Sequence, residues 1–84
     1  MTDLEFDLID EMYFVTAFEV LQSKVQVEEQ ALQEALEGLL QKGWVKCFLP
    51  QSDEIITSFE DFSQHYKNYH YLASKEGLLA HNSR

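Results

Sequence analysis

The sequence predicts an α+β fold that is mainly α: three helices, then two strands with a short helix inserted between them. Three observations carry that prediction. Apolar residues recur at helical spacing through the first half; a run of aromatic and β-branched residues opens at Trp44 and is ended by Pro50; a second such run opens at Tyr69. Eighty-four residues fit one domain spanning 1–84, and a chain of this size buries roughly 60–65% of its unfolded surface. The hydrophobic share of 45%, with six Phe, four Tyr and one Trp, is enough to build a core.

Thr2 and Glu5 have capping-box spacing, a hydroxyl followed three residues on by a carboxylate that can reach back. Leu4, Leu8, Met12 and Val15 then share one helical face. Thr16 and Glu19 repeat the capping pattern, so the first helix is expected to stop near Phe14 and a second, carrying Phe18, Val20 and Leu21, to follow. It fades at Ser23 and Lys24, and Val25 and Val27 mark a turn.

The third helix has Leu32, Leu36, Leu39 and Leu40 as its stripe, with Ala31 and Ala35 letting a neighbour approach. Lys42 in the last turn and Gly43 after it are a stop signal. The first strand is expected over 44–49, with Val45, Cys47 and Leu49 on one face and Trp44, Lys46 and Phe48 on the other. Residues 51–53 read as loop, and Ile55 and Ile56 fit either sheet or the next element. A Thr57–Glu60 capping box and the spacing of Phe59, Phe62 and Tyr66 predict a helix over about 58–67. The second strand covers 69–73, Ser74 caps a last turn over 75–79, and the tail from His81 is expected to fray.

Charge is segregated. Residues 1–37 hold ten carboxylates and one cation, Lys24, whereas residues 38–84 hold five acids and five bases, so the formal charge of −9 belongs to the first half. Such a field repels polyphosphates and anionic membranes over about a Debye length, some 8 Å in cells. It either solubilises the surface or docks a basic partner. A single cysteine excludes an internal disulfide framework and suits a reducing, cytoplasmic setting. No apolar run reaches the roughly 18 residues of a membrane span, and the acidic start does not read as a signal peptide.

Three helices, a strand opening Gly43-Trp44-Val45, and a closing Tyr71-Leu72-Ala73-Ser74-Lys75-Glu76-Gly77 together resemble the winged helix-turn-helix family. The resemblance implies a three-helix helix-turn-helix core followed by a two-stranded wing, here with an inserted short helix. Leu21 matches the apolar anchor of that family's second helix, Val25 and Val27 the apolar pair of its turn, and Leu32, Leu36 and Leu39 the buried stripe of its recognition helix. The long stretch from Pro50 to Asn68 departs from the family's wing. By the same resemblance, the residues that would enter a DNA groove are Glu28, Glu29, Gln30, Gln33, Glu34 and Glu37. Four of those six are carboxylates, and no cation stands between Lys24 and Lys42.

Duplex binding draws most of its affinity from cations that neutralise phosphates. At an effective dielectric of about 20, one like-charge contact at about 4 Å costs about 4 kcal/mol, less in salt. The acidic helix therefore argues against DNA although the fold resemblance argues for it. A regulator would have to use Lys42, Lys46, Lys67 and Lys75 instead.

No other constellation points to chemistry. His65, His70, His81 and Cys47 lack metal-ligand spacing, so neither a metal nor another cofactor is expected. Cys47 alternates with Val45 and Leu49, as a buried thiol would. Asp10/Glu11 and Glu28/Glu29 are adjacent on their helices and so diverge by about 100°. No Gly-rich phosphate loop or nucleophile elbow is present, and catalysis is not expected.

Seven aromatics fall between residues 44 and 71. Either Phe59, Phe62 and Leu72 complete the core and leave the tyrosines half exposed, or Trp44, Phe48, Tyr69 and Tyr71 line a contact patch. The expectation is a non-catalytic module acting through a protein partner or a second copy of itself, without a membrane. A DNA-binding regulator is the alternative, and an acidic DNA mimic is a third reading.

Overall fold

The computed structural model describes residues 1–52 and 54–83; the expected loop residue Asp53 and the terminal Arg84 lie outside the described residues. The chain runs α1 (Asp3–Glu11), β1 (Thr16–Ala17), α2 (Phe18–Val25), α3 (Glu29–Lys42), β2 (Val45–Phe48), α4 (Phe62–His65), a 3-10 turn (Tyr66–Asn68), β3 (His70–Ala73) and α5 (Lys75–Asn82). It is an α+β fold, mainly helical, in which a helical core is followed by a hairpin, as expected. The sheet gains a strand the sequence does not announce: β1 pairs with β3, giving the antiparallel order β1-β3-β2.

The α1 capping box forms as read. Thr2 Oγ1 accepts from the Glu5 amide at 3.1 Å, and the Thr2 amide donates to Glu5 Oε1 at 2.9 Å. Glu5, Leu8 and Ile9 of α1 are buried, and so is Met12, the residue that caps its end. Val15, expected to extend that stripe, is exposed because the helix ends at Glu11. The second expected box does not form. The Thr16 hydroxyl is donated backwards, to the carbonyls of Glu11 (3.1 Å) and Phe14 (2.7 Å), so it closes the end of α1, and α2 starts from Ala17 without a side-chain cap.

Gln26 ends α2 in the left-handed conformation (φ 54°), and its amide bonds the Gln22 carbonyl at 2.9 Å. This tight turn leads directly into α3, whose Leu32, Leu36, Leu39 and Leu40 are all buried. Gly43 then adopts φ 76° and closes α3, the stop the sequence signalled.

The hairpin register pairs Val45 with Ala73, Lys46 with Leu72, Cys47 with Tyr71 and Phe48 with His70. One face (Val45, Cys47, Tyr71 and Ala73) is buried against the helices, and the other is half exposed. Between the strands the helix is shorter than expected, starting at Phe62 rather than near residue 58; its N-cap is Asp61, and the Thr57–Glu60 box does not form. Ile55 instead bridges to Phe48, and the Ile56 amide donates to the Cys47 carbonyl at 2.8 Å, so this segment runs along β2 before it turns. His81 and Asn82, expected in a frayed tail, belong instead to α5: Ser74 caps that helix, and His81 stacks on Phe6 with ring centroids 4.1 Å apart.

Candidate functional site

The outer face of α3 carries the charge anticipated for it. Glu28, Gln30 and Glu34 are exposed, and Glu29, Gln33 and Glu37 are half-buried. Gln30 Nε2 donates to Glu34 Oε1 at 3.3 Å, an intrahelical contact one turn apart. Glu29, at the start of the helix, is held from outside: the Tyr66 hydroxyl donates to one carboxylate oxygen, and Lys67 Nζ lies 2.7 Å from the other. Those two donors keep the Glu29 carboxyl below its ordinary range, and the same carboxylate raises Tyr66 and Lys67 above theirs. The segment between the hairpin strands is thereby clipped onto the first turn of α3.

Two of the four cations open to a DNA-binding alternative are engaged within the chain. Lys67 serves Glu29. Lys42 Nζ lies 2.7 Å from Glu5 Oε2 and 4.9 Å from the centre of the Trp44 ring. Lys46 is half-buried on the outer face of the hairpin, and Lys75 is exposed at the opening of α5.

The four aromatics proposed as one contact patch are divided by the sheet. Trp44 and Phe48 are half-buried, and Phe48 pairs with His70 on the outward side. Tyr69 is 7% exposed and Tyr71 is 0% exposed, with the Tyr71 hydroxyl donating to the Tyr66 carbonyl at 2.6 Å. The register is the cause: Tyr71 lies opposite Cys47, so it points inward with the core, and Tyr69, two residues earlier, follows. Tyr69 and Tyr71 are core residues and present no surface to a partner. Burial raises both phenols above their ordinary range, Tyr71 the more strongly.

Cys47 is fully buried, and burial pushes its thiol up to about 11. Among the described residues, no three His, Cys, Asp or Glu side chains converge as a metal site would require. A groove of about 180 Å³ lies between α1 and α2, lined by Asp7, Asp10, Glu11, Lys24 and Val25. That is small against the roughly 300–1,000 Å³ typical of small-molecule sites, but enough for the head of a side chain. Among the described residues, no helix is long and apolar enough to cross a membrane.

The feature that sequence reasoning missed is the turn after α1. Phe14 is 82% exposed, and Tyr13 and Val15 beside it are exposed as well. The turn is braced. Thr16 ties the carbonyls of Glu11 and Phe14 together, while the Tyr13 hydroxyl lies 3.3 Å from His81 Nδ1 and 3.2 Å from Asn82 Oδ1. A sequence signal existed: four consecutive apolar residues, Met12 to Val15, cannot all lie on one helical face. Comparison with protein-family models, curated proteins and solved structures returns no match.

Proposed function

We propose that this chain is a small, acidic, non-catalytic module of winged-helix-like architecture that works by binding another protein. The observation that carries this reading is the state of α3. Its outer face offers Glu28, Glu34 and Glu37, while its leading carboxylate, Glu29, is tied to Tyr66 and Lys67. The helix-turn-helix pair α2–α3 and the hairpin that follows support the architecture. The side chains support a partner other than nucleic acid. A helix entering the groove would bring carboxylates against phosphates, with Lys67 and Lys42 already committed to Glu29 and Glu5. The single buried thiol suits a reducing, cytoplasmic setting.

A DNA-binding regulator remains the competing reading, favoured only by the α2–α3 arrangement. Fluorescence titration with mixed-sequence and selected duplexes at about 0.15 M salt decides between them. The expected result is no specific complex and only weak, salt-sensitive association. A tight, sequence-selective complex that Lys46→Gln or Lys75→Gln abolishes overturns the proposal.

A further inference from the structure

We propose that the braced turn Tyr13–Val15, together with the acidic groove between α1 and α2, is the docking site for a cationic segment of a partner protein that carries an apolar side chain beside its Lys or Arg. This deepens the protein-binding reading and rests on it.

Phe14 is the first observation. A phenylalanine 82% exposed leaves most of a large apolar ring in water, and such rings mark interaction sites when they are grouped rather than scattered. Here Tyr13, Phe14 and Val15 are consecutive, and Val20 on α2 is 45% exposed nearby in the chain. The turn is also fixed in place before any partner arrives. Thr16 Oγ1 donates to the Glu11 and Phe14 carbonyls together, and Tyr13 is bonded to the last turn of α5. A main chain held this way loses little conformational freedom on binding.

The groove is the second, independent observation. Asp7, Asp10 and Glu11 line it against one ammonium, Lys24, and Asp10 Oδ1 also lies 3.3 Å from His81 Nε2, which leaves Asp7 and Glu11 as the carboxylates open to a partner's cation. One hydroxyl bonds the main-chain carbonyls of both Glu11, at the groove's edge, and Phe14, so the turn that carries the exposed ring starts from the groove's rim. An apolar anchor beside an acidic slot is complementary to a segment that pairs an aliphatic or aromatic side chain with a cation. The same charge argues against the other occupants. A second copy would bring −9 against −9, and an anionic bilayer would meet the same field.

The test pans short random phage-displayed peptides on the full chain and titrates those recovered into wild type, Phe14→Ser and an Asp7→Asn/Glu11→Gln double variant. Recovered peptides are expected to pair Lys or Arg with an aliphatic or aromatic residue. Phe14→Ser should weaken them at least about 10-fold. The double variant should weaken them several-fold and flatten the salt dependence. Both variants should keep the wild-type melting curve, which separates a lost site from a lost fold. Recovered peptides that lack cations, or that bind Phe14→Ser as tightly as wild type, overturn the site while leaving the protein-binding reading intact. Recovery of no peptide overturns the site, and specific duplex binding alongside it overturns the reading beneath. Sedimentation showing a dimer that Phe14→Ser dissociates assigns the turn to a second copy, and Phe14-dependent binding to phosphatidylcholine vesicles assigns it to lipid; either also overturns the proposal.

Discussion

Gly77 and Trp44 meet main chain to main chain: a Cβ at position 77 would fall 2.0 Å from the Trp44 carbonyl oxygen. That oxygen cannot swing aside, because it already accepts the Ser74 amide at 2.9 Å. Ser74 completes the joint, its hydroxyl donating to the Gly43 carbonyl at 2.6 Å and accepting from the Gly77 amide at 3.1 Å. The first turn of α5 is therefore seated on the corner between α3 and β2. Gly77→Ala should destabilise the protein by about 3 kcal/mol, the cost of forcing a methyl group into packed main chain. At roughly 4–8 °C per kcal/mol for a domain of this size, a thermal melt followed by circular dichroism resolves the loss. A melt within a degree or two of wild type would show that the corner does not close as described.

Gly38 and Gln26 invite the opposite substitutions. A Cβ at Gly38 meets nothing within 4 Å, and the residue sits inside α3 with ordinary helical backbone. Gly38→Ala should therefore stabilise by about 0.5–1 kcal/mol. Gln26 holds φ 54° at the end of α2, where a side chain is strained and glycine is not. Gln26→Gly should gain about 0.5 kcal/mol, relief of local strain being partly offset by the freer unfolded chain. Urea denaturation of the two single variants and of the pair checks both signs.

The corner at Gly77 also shows what could be read in advance. Gly43-Trp44-Val45 and Ser74-Lys75-Glu76-Gly77, the two stretches that carried the family resemblance, are the stretches that touch. Helical periodicity placed the α3 stripe, and Gly43 its end, because both are local effects of spacing and backbone freedom. The aromatics failed for a non-local reason. Which face Tyr69 and Tyr71 take depends on pairing with Cys47, and no residue between 44 and 71 sets that register by itself. Strand β1 was missed because two residues leave no alternation to read. Thr16 was misassigned because a threonine hydroxyl can serve the helix behind it as well as the one ahead.

Glu5 closes the N-terminus of α1 onto the C-terminus of α3. Burial alone would raise its carboxyl, but hydrogen bonds from Lys42 and Thr2 outweigh burial and hold it below the ordinary glutamate value. A carboxyl lowered in the folded state stabilises it above the unfolded-state value, and that contribution is lost as pH falls through the lowered one. Glu5→Gln should cost about 1–2 kcal/mol at neutral pH, since the amide keeps the shape but loses the charged partner. Its deficit should shrink steadily as the solution is acidified below the ordinary glutamate value. Paired urea titrations of wild type and variant across that range measure this, and a deficit that stays constant would place the stabilisation elsewhere.

Cys47 should be chemically silent until the chain opens. Its thiol is fully buried and pushed up to about 11, so almost no thiolate exists at neutral or mildly alkaline pH. Alkylation by iodoacetamide should proceed far more slowly than for a free thiol and should accelerate in step with unfolding as urea is added. Rapid labelling of the native protein would mean that β2 opens locally without global unfolding.

The clip at Glu29 predicts a local effect rather than a global one. Tyr66 packs edge-on against Phe18 with ring centroids 5.1 Å apart, so Tyr66→Phe keeps the ring contact and removes only the hydroxyl that reaches Glu29. The Tyr66 carbonyl still accepts from Tyr71, which keeps the 3-10 turn anchored to the core. Amide exchange should therefore quicken in α4, in the 3-10 turn and in the first turn of α3, while the buried parts of β2 and β3 stay protected. Acid should mimic the variant. Lys67 and Tyr66 hold the Glu29 carboxyl low, so the clip is whole above the ordinary glutamate value and is lost as pH falls through the lowered one. Exchange measured by mass spectrometry on wild type at acidic pH, corrected for the intrinsic rate, should then quicken over 62–68 at least as much as in Tyr66→Phe at neutral pH, since the variant keeps the Lys67–Glu29 pair and acid does not. Unchanged protection in that segment under both conditions would mean that the aromatic contacts alone hold it against α2.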